Sequence, residues 1–197
     1  MTSTSKIYGL VLAGGKSRRM GTDKGCIVYH DIPQREYLYR LLERVCDRTF
    51  MSIRKEQTAE IAPTFNTIVD EDKFKGPFNG ILSAHNQHPD VAWLVLACDL
   101  PLIDEKALRE LIAARKSNAY ATTYSLKENP LPEPLCAIWE AEALKAAVSY
   151  MEAGVNGSCP RKFLINSDTH MVYPANEHIL MNANSELEYR EALSKLP

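Results

Sequence analysis

Ile7-Tyr8-Gly9-Leu10-Val11-Leu12-Ala13-Gly14-Gly15 is a short apolar run stopped by paired glycines. Its brevity and its glycine punctuation predict a strand buried on both faces, the kind found in parallel sheets covered by helices. Downstream, Leu38, Leu41, Leu42 and Val45 recur at i, i+3, i+4 and i+7, so the spacing predicts an amphipathic helix from Gln34 to Cys46. Short β-prone pieces follow at Thr49 to Ile53 and Thr67 to Val69, then a small-residue stretch, Gly80 to Asn86, compatible with a helix. Ala92-Trp-Leu-Val-Leu-Ala97 reads as a second central strand. Leu108, Leu111 and Ile112 line a helix that Asp104 is suited to cap, and Ala119 to Tyr124 is β-prone again. Strands alternating with helices predict a mostly parallel α/β sheet.

The pattern weakens after Lys127, where Pro130, Pro132 and Pro134 break regular structure, and resumes with a helix marked by Leu144, Ala147, Val148 and Met151. A last short strand is expected at Ile179 to Met181. Asn182-Ala-Asn184 then leads into a helix opened by Ser185, with Glu188 completing a capping box. No linker, repeat or low-complexity tract divides the 197 residues. A single domain over 1–197 is expected, its nucleotide-binding part at about 6–125 and its acceptor side at about 126–194.

Twenty-three Lys and Arg against 25 Asp and Glu give a net charge of −2, which supplies no overall field for nucleic acid or an anionic membrane. Any anion site must be local. No apolar run reaches the roughly 20 residues of a membrane span, and Met1 to Lys6 lacks a signal-peptide core, so a cytoplasmic protein is expected. Five scattered cysteines with no C-x-x-C pair fit neither a disulfide framework nor a zinc ribbon. Cys98 and Cys136 are expected as buried thiols rather than nucleophiles.

Chemistry concentrates in Leu12 to Lys24. Gly14 and Gly15 let the backbone approach a ligand and aim N–H groups at it, and Lys16, Arg18, Arg19 and Lys24 add local positive charge. Together they read as a polyphosphate cradle, against the plainer alternative of a solvated basic turn. The loop is not a P-loop, because Gly15-Lys16-Ser17 would require glycine at position 10, which is Leu10. Nor can Gly-x-Gly-x-x-Gly be laid on Gly14, Gly15 and Gly21. Asp99 stands just beyond the second central strand, where open parallel sheets gather their ligands, and a carboxylate facing triphosphate oxygens suits Mg²⁺. Its alternative role is a turn residue before Pro101. In Val69 to Gly80, Asp70 has the chemistry to accept from a base N–H or support a metal, and Gly76 and Gly80 permit close backbone approach. A solvated acidic loop is the competing reading.

These motifs, with Lys75 to Gly80, Cys98-Asp-Leu-Pro101, Pro132 to Ala137, Arg161 to Leu164 and Asn182 to Glu186, resemble the GT-A-like α/β nucleotidyltransferases. Within that class the chain is similar to the molybdenum cofactor guanylyltransferases over nearly its whole length. The resemblance implies a Rossmann-like three-layer α/β/α fold of the nucleotide-diphospho-sugar transferase type. It implies GMP transfer from MgGTP to the terminal phosphate of molybdopterin, with release of pyrophosphate. Leu12, Ala13, Gly14, Gly15, Lys24, Asp70, Gly76, Gly80 and Asp99 would hold GTP, and Asp99 would bind Mg²⁺. Arg19, Lys24 and Asp99 would be the catalytic set, and Asn182 and Asn184 would lie toward molybdopterin. Molybdoenzyme apoproteins or cofactor chaperones would be further partners. Gly14 speaks for the guanylyl branch, since cytidylyl relatives usually carry Ala there. Where the family often has an Asn in the strand corresponding to Thr49 to Ile53, this chain offers Ser52 or Arg54. The alternatives are a cytidylyl- or sugar-1-phosphate nucleotidyltransferase and a non-catalytic GTP-binding delivery module.

Overall fold

Seven strands form one sheet in the order β3-β2-β1-β4-β6-β5-β7. They are β1 (Ile7–Leu12), β2 (Arg48–Ile53), β3 (Thr67–Val69), β4 (Ala92–Ala97), β5 (Ala121–Tyr124), β6 (Cys136–Trp139) and β7 (Thr169–Val172). The computed structural model describes residues 5–15, 23–154 and 157–196. β1 pairs in parallel with β2 and β4, β2 with β3, and β5 with β7, whereas β6 runs antiparallel to both β4 and β5. The mostly parallel α/β reading therefore holds, with one reversed strand inside it.

β4 is buried at all six positions, because helices cover both faces, and this is why it reads as an unbroken apolar run. On one face, α1 (Gln34–Glu43) and α3 (Glu105–Ala113) pack Leu38, Leu42, Leu108 and Leu111 against Val11, Met51, Leu94 and Leu96. On the other, α2 (Pro77–Gln87), α4 (Ala141–Glu152) and α5 (Pro160–Ile165) pack Ile81, Leu144 and Phe163 against Leu10, Phe50, Trp93 and Val95. The period-2 alternation of each central strand thus feeds two separate cores. Asp104 caps α3, its side chain accepting from the Ala107 N–H, and Ser185 caps α6 (Glu186–Lys195) by accepting from the Glu188 N–H.

Two expectations change. The strand read at Ile179 to Met181 is a 3-10 turn, Glu177–Leu180, capped by the Asn176 side chain. The helix expected to run to Cys46 ends at Glu43, although the Cys46 N–H still reaches the Leu42 carbonyl. β6, β7 and α5 were not anticipated. The strand order reverses direction between β1 and β4, and the crevice beyond the carboxyl ends of such strands is where open α/β sheets bind ligands.

Candidate active site

A cleft of about 550 Å³ occupies that crevice, within the usual size of small-molecule sites. Leu12 to Gly15 line it from the end of β1, Ser52 and Arg54 from β2, Asp70 from β3, Gly76 and Gly80 from α2, and Asp99 from the end of β4. Lys24 enters from the 3-10 turn Lys24–Cys26, which Asp23 caps by accepting from the Gly25 N–H at 2.9 Å. Burial of strand ends thus brings together residues almost 90 positions apart.

At the centre, Lys24 Nζ donates to Asp99 Oδ2 at 3.2 Å and also to the Asn184 side-chain oxygen. The segment carrying Asn184 is held in place by the backbone, the Ala183 N–H donating to the Asp99 carbonyl at 3.0 Å. The Asn184 N–H in turn donates to Glu188 Oε2 at 2.7 Å, so the capping box of α6 reaches back to the cleft. Asn182 behaves differently. It is exposed, and its amide donates to the Leu180 carbonyl at 3.4 Å.

On the β2–β3 side, Ser52 Oγ donates to Asp70 Oδ1 at 2.6 Å. Burial raises the Asp70 carboxyl to about 6, partly offset by that hydroxyl. A methyl group at Gly14 would lie 2.5 Å from Asp70 Oδ2, so Gly14→Ala would strike the protein's own carboxylate before any ligand. At Gly80 a methyl would collide with Ser52 Oγ, so the bare backbone there lets α2 lie against β2 while still bordering the cleft. Gly76 has φ +66° at the start of α2, a conformation side chains disfavour.

Arg54 Nη1 donates to the carbonyls of Gly14 and Gly15, each at 2.7 Å, and Gln57 Nε2 donates to the Ala13 carbonyl at 3.1 Å and to Asp23 Oδ2 at 3.0 Å. Asp23 and Gln57 were not anticipated; a buried glutamine in a polar stretch carries no local signal. Arg19, expected at the phosphates, lies outside the described residues, as do Lys16 and Arg18. Cys98 is buried with its thiol pushed well above the usual range by burial, and donates to the Leu12 carbonyl at 3.5 Å, as expected of a structural thiol.

Among the described residues no group of three or more His, Cys, Asp or Glu side chains is arranged to hold a metal. Asp99 offers one exposed-edge carboxylate, which fits a hard cation that arrives with phosphate oxygens as its other ligands rather than a resident ion.

Because burial pushes the folded Asp70 carboxyl up to about 6, above the usual carboxylate range, the folded protein holds a proton there that the unfolded chain has already released. Its contribution to stability is therefore greatest below about pH 4 and is lost as pH rises through 6. Asp70→Asn, which keeps the oxygen that accepts from Ser52, should become more stable relative to the parent as pH rises from 4 to 7. Urea unfolding at both pH values checks this. A stability difference independent of pH would contradict it.

An open, mostly parallel sheet with a glycine loop, a lysine and a strand-end aspartate meeting at its switch point defines an α/β protein of the nucleotide-diphospho-sugar transferase type. The crystal structure of molybdopterin-guanine dinucleotide biosynthesis protein A from Archaeoglobus fulgidus has this fold, with a TM-score of 0.77 at 20% identity over 95% of this chain and 97% of that one. A family model for the MobA-like NTP transferase domain matches residues 9–169, and the chain belongs to that family. It is 38% identical over 189 residues to a molybdenum cofactor biosynthesis bifunctional protein of Synechocystis sp., covering 95% of this chain and 54% of that protein. It is 31% identical over 180 residues to the molybdenum cofactor guanylyltransferase of Pseudomonas fluorescens, covering 89% and 88%. The chain thus spans about half of the Synechocystis relative's length and most of the Pseudomonas one. No helix among the described residues is long and apolar enough to cross a membrane.

Proposed function

We propose that this chain transfers GMP from GTP to the terminal phosphate of molybdopterin, releasing pyrophosphate and forming the guanine dinucleotide cofactor. The observation that supports the reading is the Lys24–Asp99–Asn184 junction, where a lysine just past the glycine loop, a strand-end carboxylate and the carboxyl-terminal segment meet. The names of the relatives supply the acceptor and the base.

The acceptor phosphate is already an oxyanion near neutral pH, so the residues need not supply a general base. One of its oxygens bonds to the α-phosphorus while the bond from that phosphorus to the oxygen bridging the α- and β-phosphates breaks, and the electron pair leaves with pyrophosphate. Catalysis is then positioning and charge neutralisation. Gly14 and Gly15 offer backbone N–H groups to the phosphates, Lys24 balances the charge growing on the leaving pyrophosphate, and Arg19 is assigned the same task. Asp99 would hold Mg²⁺, which when bound would supply Lewis-acid charge neutralisation to the triphosphate. Asp70 accepts from the nucleoside, Gly76 and Gly80 shape the pocket wall, and Asn184 faces the acceptor. Asn182 is assigned to the outer part of that acceptor surface. The whole chain acts as one unit, since β6 of the acceptor side sits between β4 and β5 of the nucleotide side. The work belongs in the cytoplasm, with molybdoenzyme apoproteins or cofactor chaperones receiving the product.

Nucleotide choice tests the reading. With molybdopterin present, pyrophosphate release should be faster with GTP than with CTP, ATP or UTP at equal concentrations. Equal or faster release with CTP would move the chain to the cytidylyl branch, and GTP binding without release would favour a non-catalytic delivery module.

A further inference from the structure

Resting on that reading of the cleft, we propose that Arg54 is a positioning residue: it grips the outer side of the nucleotide loop so that the loop's N–H groups face the phosphates. Three consecutive carbonyls, those of Ala13, Gly14 and Gly15, accept from side chains of one short stretch, Gln57 taking the first and Arg54 the other two. Successive peptide units whose carbonyls are tied on one side must present their N–H groups elsewhere. Among the described residues, the Ala13 N–H is spent on the Ser52 carbonyl at 2.9 Å, and no group accepts from the N–H of Gly14 or Gly15. Those two donors border the cleft.

The grip is itself anchored. The Arg54 backbone N–H donates to Gln57 Oε1 at 2.9 Å, so the backbone at Arg54 fixes the Gln57 side chain. Arg54 Nη2 lies 3.7 Å from Asp23 Oδ2, and that carboxylate also accepts from Gln57. Asp23 caps the turn that begins with Lys24, so the loop and the lysine are set by one network. Both carbonyls accept from Nη1 while Nη2 faces the Asp23 carboxylate, so the guanidinium serves two sets of oxygens from two nitrogens, which the single nitrogen of an ammonium would not do, and little of it is left to bind phosphate directly. Ser52, the alternative candidate for the family's Asn contact, points at Asp70 instead. Of the two, Ser52 is placed against the nucleoside pocket and Arg54 behind the phosphate loop.

Arg54→Ala should leave the melting temperature within a few degrees of the parent. The backbone order parameters of the Gly14 and Gly15 amides in the ligand-free protein should fall, because the carbonyls that fixed those peptide units are released, and GTP affinity should fall by about 10²-fold, the size of loss that small misplacements cause. Guanidinium ion at sub-denaturing concentration should restore part of the affinity. Arg54→Lys, which keeps a charge but not the second nitrogen that faces Asp23, should stay weak. Unchanged order at both glycines would overturn the proposal, and so would full affinity in Arg54→Lys, which would mark Arg54 as a generic phosphate charge. The order measurement needs no nucleotide, so it judges the grip even if the parent protein fails to bind GTP, a failure that would instead strike the proposed function. Should Arg54→Ala fail to fold, Arg54→Lys carries the same order measurement.

Discussion

Asp99→Asn is expected to lower turnover by about 10²- to 10³-fold, roughly 2.7–4 kcal/mol of transition-state stabilisation, while the protein stays folded. Two features separate the chemical from the structural effect. The Asp99 backbone is held by its carbonyl, which accepts from the Ala183 N–H, so the position survives the substitution. The side chain is 23% exposed and pairs with a Lys24 that is 19% exposed, and pairs with that much water contact contribute about 1 kcal/mol or less. An amide keeps a hydrogen-bond acceptor for Lys24 but removes the charge that a divalent cation requires. Rates of pyrophosphate release, with melting temperature as the control, check this, and excess Mg²⁺ should rescue poorly. Ordinary turnover in Asp99→Asn would remove Asp99 from the reaction.

The second large effect lies at the other end of β1. Arg115 and Glu140 are 6% and 7% exposed and meet in a two-bonded fork, Nε to Oε1 and Nη2 to Oε2, both at 2.7 Å. The remaining donors go to Ser5, Nη1 to its carbonyl at 2.8 Å and Nη2 to its hydroxyl at 2.6 Å. This pair ties the entry to β1, the residues after α3 and the start of α4. Arg115→Met leaves Glu140 buried without a countercharge and should cost about 3–5 kcal/mol of unfolding free energy. Arg115→Met combined with Glu140→Leu should recover most of that loss, because the buried charge goes with its partner. Urea titration of the two variants decides the matter. A loss under about 1 kcal/mol in the single variant would mean the site admits water and the pair is effectively a surface one.

β1 and β4 were legible in the sequence because both faces of each are covered, which compresses their signal into short apolar runs ending at Gly14 and Asp99. The capped helices were legible too, since a cap is a local hydrogen bond that sequence spacing reports. β6 was hidden by the three prolines before it. They end regular structure only up to Pro134, whose carbonyl accepts from the Trp139 indole at 2.9 Å, and the strand begins two residues later. β7 is half-exposed along its length at the sheet edge and so shows no apolar run. Ile179 and Leu180 are two adjacent apolar residues, too few to tell a strand from a 3-10 turn. In the cleft, the loop, Lys24, Asp70 and Asp99 could be named because their residue types and their places at strand ends are suggestive by themselves. Gln57 and Asp23 meet 34 residues apart in the chain, and such a contact leaves no trace in local pattern.

The central claim is the identity of the reaction, and the most direct test is the product. The protein is incubated with Mg²⁺, GTP and molybdopterin, and the pterin fraction is analysed by mass together with released pyrophosphate. The account predicts a pterin species heavier by one GMP linked through a diphosphate, formed one for one with pyrophosphate and absent when either substrate is omitted. A pterin that emerges unchanged beside intact GTP, or one that acquires CMP in preference to GMP when both nucleotides are offered, would contradict it.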